Sequence, residues 1–74
     1  MRLLALEPGD LKYFSRINDI EEAIEFLKGG VNVILYTGGR ELYETTDKSD
    51  ITELKERKHL YDMKVLSNFE LYID

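Results

Sequence analysis

The side chains able to do chemistry in this chain are few: one histidine, His59, a surplus of carboxylates, a handful of cations and a paired glycine at Gly38-Gly39. There is no cysteine, which removes thiol catalysis, disulfides and thiolate metal sites together. His59 follows Arg57-Lys58, with Glu56 and Asp62 three residues away on either side. As a general base it has no recognisable nucleophile, and as a metal ligand it has no second His or Cys at ligand spacing. An exposed histidine at an element boundary is the expectation. The carboxylate pairs Glu21/Glu22 and Glu41/Glu44 fall on positions predicted to be solvated. General acid–base work needs a carboxyl group raised in pKa by burial beside a cleft, so neither pair is expected to catalyse.

Two loops invite a ligand reading, and spacing argues against both. Gly38-Gly39 is followed by Arg40-Glu41-Leu42-Tyr43-Glu44, which continues as a strand. A phosphate-cradling loop has a longer glycine pattern and opens a helix. Asp47, Ser49 and Asp50 resemble the start of a calcium loop, but Ile51, Thr52 and Lys58 occupy positions where such a loop needs a ligand, a glycine and a glutamate. No catalytic, cofactor-binding or metal-binding residue is expected, and the chain is not expected to be an enzyme.

Charge narrows the choice of partner. Ten Lys and Arg against fifteen Asp and Glu give a net charge of -5, which repels a phosphate backbone and mildly favours a protein partner with a basic surface. The one basic cluster is Lys55, Arg57, Lys58, His59 and Lys64, an alternative nucleic-acid contact that Glu53, Glu56 and Asp62 largely cancel. Leu3-Leu4-Ala5-Leu6 stops at Glu7-Pro8, and no apolar run approaches the ~18 residues of a membrane span, so the cytoplasm is the expected compartment.

The elements that must position these groups read as one α+β domain over 1–74. Arg2 to Glu7 is a short apolar segment, Pro8-Gly9 a type II turn, and Leu11 to Arg16 a returning strand. Ile20, Ala23, Ile24 and Leu27 recur at helical spacing behind a cap at Asn18 or Asp19, which predicts an amphipathic helix over about 19–29 closed by Gly29-Gly30. Val31 to Tyr36 is β-branched and aromatic, and Gly38-Gly39 fits a two-residue type I′ hairpin turn. That register puts Val31, Val33, Leu35 and Leu42 on one face and Ile34, Tyr36, Glu41 and Tyr43 on the other.

Asp50 with Glu53 makes a capping box for a second helix. Lys58 and Asp62 would fall inside its Ile51/Leu54/Tyr61 stripe and Leu60 opposite, so a short helix over about 50–58 is predicted, with a strand at Tyr61, Met63 and Val65 after it. Phe69, Leu71 and Ile73 alternate with polar residues in a last strand. The result is a mostly antiparallel sheet with the first helix across one face. Tyr36, Arg40, Glu41 and Tyr43 are then the candidate interaction surface, for another protein or a second copy of the chain. Size and acidity suit a phage- or mobile-element-type accessory protein that blocks a basic surface on a host enzyme.

Overall fold

The computed structural model describes all residues 1–74. Five strands form one antiparallel sheet: β1 (Arg2–Leu3), β2 (Ser15–Ile17), β3 (Val33–Thr37), β4 (Glu41–Thr45) and β5 (Phe69–Ile73), in the order β1-β4-β3-β5-β2. Two α-helices, α1 (Ile20–Lys28) and α2 (Ile51–Asp62), join it, along with 3-10 turns at Pro8–Tyr13 and Lys48–Asp50. The fold class is the α+β one expected.

α1 forms where its sequence directs. The Asp19 carboxylate accepts from the Glu22 N–H at 2.8 Å, Glu21 and Glu22 sit in the first turn and Lys28 in the last, and all three suit the helix dipole. Ala23, Ile24 and Leu27 are buried. Ala23 and Leu27 join Ile17, Val33, Leu35, Leu54 and Leu71 in the larger core, on the helix side of the sheet.

The opposite face is also covered. Pro8 fixes the first residue of the 3-10 turn, Asp10 accepts from the Glu7 N–H, and Leu11 drops into a second cluster with Ile34, Leu42 and Tyr72. This corrects the expected strand over 11–16, which shrinks to Ser15–Ile17. Wound into a 3-10 turn, residues 8–13 carry the chain across the sheet instead of reversing it. β1 and β2 therefore lie at opposite edges and do not pair with each other.

The central hairpin forms, but one residue out of the expected register. Gly38 and Gly39 take positive φ, +68° and +93°, and the loop extends through Arg40 so that Thr37 pairs with Glu41 and Leu35 with Tyr43. A contact distant in sequence accompanies this register: Asn68 accepts the Gly39 N–H at 2.8 Å through its side chain and the Thr37 hydroxyl at 3.1 Å through its backbone. A one-residue change of register turns side chains to the other face. Leu42 thus joins Ile34 and Tyr36, while Tyr43 joins Val33 and Leu35 beneath the helices.

α2 is longer than expected, running unbroken to Asp62, and no strand forms at 61–65. The two charges that fall in its apolar stripe neutralise each other, Lys58 Nζ reaching Asp62 at 2.5 Å while its ammonium lies 5.8 Å from the centre of the Tyr61 ring. A long cationic stem can lie along apolar surface and keep its head polar, which the alternation of Tyr61, Met63 and Val65 did not reveal. The expected Asp50 cap is also redirected. Its carboxylate accepts from the Met1 ammonium at 2.7 Å and the Thr45 hydroxyl at 2.6 Å instead of capping α2.

Candidate interaction surface

The four hairpin residues do not share a face. Tyr36 lies on the side of the sheet that holds Leu11 and Tyr72, Arg40 is exposed at the loop tip, and Glu41 and Tyr43 project on the helix side. The expectation that Tyr36 and Tyr43 share one face of the sheet is corrected by the register.

On the helix side a different group assembles. The half-buried Tyr43 donates its hydroxyl to Glu41 Oε2 at 2.5 Å, and the Arg57 guanidinium lies 5.2 Å from the centre of its ring. Arg57 is itself held by Glu53 at 3.2 Å, one helical turn back. Glu41 is the main cause of a Tyr43 phenol pushed above its ordinary value: accepting the hydrogen bond of the neutral phenol stabilises that form, with burial and the carboxylate's charge adding to the shift. Leu3, paired with Tyr43 across β1 and β4, is 65% exposed beside it. Arg57, expected in the basic cluster, thus stands with residues of the hairpin surface. No sequence signal places Leu3 there, because two residues of edge strand carry no period.

The remaining cluster residues disperse. Lys58 faces Asp62, Lys55 and His59 are exposed on the outward side of α2, and Lys64 follows the helix end. Elsewhere, a recess of about 220 Å³ between the start of α1 and the end of α2 is floored by Ile17, Ile20, Tyr61, Phe69 and Leu71. The cations at its rim, Arg16 and Lys58, are engaged by Glu70 and Asp62. No group of three or more His, Asp or Glu side chains is arranged to hold a metal ion, and no helix is long and apolar enough to cross a membrane.

Fold and surface together define a small α+β domain with a five-stranded antiparallel sheet covered on both faces. Comparison with protein-family models, with curated protein sequences and with solved structures returned no match to this chain.

Proposed function

We propose that the chain is a non-catalytic interaction module that binds another protein through the flank where the hairpin meets α2, presenting Arg40, Glu41, Tyr43 and Arg57 beside Leu3. One observation carries the reading: Tyr43 is held from both sides, by Glu41 and by Arg57, next to an uncovered leucine. An aromatic fixed before binding loses little entropy on contact, and Tyr and Arg are the residues that most often anchor interfaces. The net charge of -5 favours a basic partner, and Glu21, Glu22, Glu41 and Glu56 take part in no ion pair that would mask them. An accessory or inhibitory role of the phage or mobile-element kind fits such a module. Nucleic-acid contact through Lys55, Arg57, Lys58, His59 and Lys64 has less support, since Arg57 and Lys58 are each matched by a carboxylate one turn away.

The test is capture of partners from the native host with the parent chain and with Leu3→Asp and Glu41→Lys, both on exposed positions. Loss of the same partner in both variants, with circular dichroism unchanged, supports the surface. An undiminished partner set means binding lies elsewhere, and salt-sensitive retention on immobilised RNA would favour nucleic acid.

A further inference from the structure

The flank where the hairpin meets α2 is rich in acceptors and short of donors. The Tyr43 hydroxyl takes Oε2 of Glu41, and both bonds of Arg57, from Nε at 3.3 Å and from Nη2 at 3.2 Å, end on Oε1 of Glu53. Oε1 of Glu41 and Oε2 of Glu53 are left to solvent. So are both oxygens of Glu56, which is exposed and takes part in no ion pair. An ionised carboxylate accepts hydrogen bonds and donates none. The flank thus offers free acceptors around a single guanidinium that is already engaged.

Apolar surface lies beside them. Glu53, Glu56 and Leu60 recur at spacings of three and four on α2, which puts them on one side of the helix, and with Arg57 they line a shallow recess of about 280 Å³. Arg57 also lies over the Tyr43 ring, so the recess borders the hairpin. The other cations of α2 are turned away: Lys55 and Lys58 fall on the far side of the helical wheel from Leu60, and Lys58 is held by Asp62.

Given the interaction function proposed above, on which this rests, we infer that the recess receives a basic segment of the partner, with a lysine or arginine side chain laid along Leu60 and its head between Glu53 and Glu56. Charge complementarity selects this occupant. A long cationic side chain has an apolar stem to cover Leu60 and only donors at its head. Glu41, Glu53 and Glu56 against Arg57 leave the flank two charges negative, and the net charge of -5 attracts the same partner from further away. The same flank of a second copy would bring only the same acceptors, and nucleic acid or an anionic lipid would bring more negative charge, so like charges would face each other in every case.

Titration of the intact, isotope-labelled chain with acetylated hexa-arginine, hexalysine and hexaglutamate amides tests the site. The two basic peptides should give saturable amide shifts from Glu53 to Leu60 and at Tyr43, and hexaglutamate none. Glu41→Gln/Glu56→Gln, with circular dichroism unchanged, should raise the hexa-arginine dissociation constant about fivefold, the effect of losing two exposed pairs. Glu21→Gln/Glu22→Gln removes the same charge from α1 and should change it less than about twofold. Equal weakening by the two double variants overturns the inference, because net charge alone would then attract the peptides. So do shifts centred on α1, or no saturation by about 5 mM peptide. Failure of the wider surface is distinguishable. A native partner lost on Leu3→Asp but kept by Glu56→Lys overturns the basic segment and leaves the surface standing. A partner kept by Leu3→Asp, with peptide binding confined to the recess, supports the basic-segment site and rejects the wider surface.

Discussion

The Arg57 guanidinium lies over the Tyr43 ring, 5.2 Å from its centre, and so ties α2 to β4 on the open flank of the molecule. Partly exposed cation–π pairs contribute about 0.5–1 kcal/mol, and a double-mutant cycle of Tyr43→Ala and Arg57→Ala should return a coupling in that range by urea unfolding. Additive effects would show that the two side chains are neighbours without being energetically linked.

The hydrogen bond from Tyr43 to Glu41 has its own signature. The bond raises the phenol above its ordinary value of 10.0, so Glu41→Gln should bring one tyrosine down toward 10.0 in an ultraviolet titration. Tyr72 serves as an internal control: burial raises it first and Glu70 second, and Glu41→Gln leaves both causes in place.

Leu54 is fully buried where α2 meets the sheet and α1. Leu54→Ala should cost about 2–5 kcal/mol, a large part of the roughly 4–11 kcal/mol expected for a domain this size. Chemical denaturation should show a sharply lower midpoint, and a loss below 1 kcal/mol would place Leu54 outside the core.

Positive φ makes opposite predictions at two sites. Gly38→Ala, at φ +68°, should cost about 1–2 kcal/mol, whereas Lys64→Gly, at φ +64°, should stabilise the chain by about 0.5–1 kcal/mol.

Stability should fall at both ends of the pH scale, for separate reasons. Hydrogen bonding to Asp50 raises the Met1 ammonium above 8.0, so its contribution is complete below 8.0 and is lost as pH climbs through the raised value. Hydrogen bonds from the Met1 ammonium and then Thr45 hold Asp50 below 3.8, and the Ser49 backbone N–H does the same for Asp47. Those contributions are complete above 3.8 and vanish as pH drops through the lowered values. Asp50→Asn should flatten the alkaline limb and part of the acid one in thermal melts from pH 3 to 10; an unchanged profile would show that the Met1–Asp50 pair contributes nothing.

Asn68 sets the length of the hairpin loop. Asn68→Ala removes the acceptor for the Gly39 N–H and should cost about 1 kcal/mol, with Gly39 exchanging its amide proton faster. Unchanged exchange at Gly39 would mean the three-residue loop holds without that clamp.

Local chemistry determined much of this protein from its residues alone. The Asp19 cap, the Ile20/Ala23/Ile24/Leu27 stripe, the reversal at Gly38-Gly39 and the alternation from Phe69 to Ile73 act within a few residues, and each produced the element it predicts. Tertiary structure decided the rest. The hairpin loop is one residue longer, clamped by Asn68 from just before β5, and so Leu42 and Tyr43 exchange faces. Residues 8–13 wound into a 3-10 turn as Leu11 found Ile34, Leu42 and Tyr72. α2 kept its last turn because Lys58 and Asp62 neutralised each other in the stripe. Residue periodicity tells which side chains share a face of one element, and contacts between elements choose the register in which those faces meet.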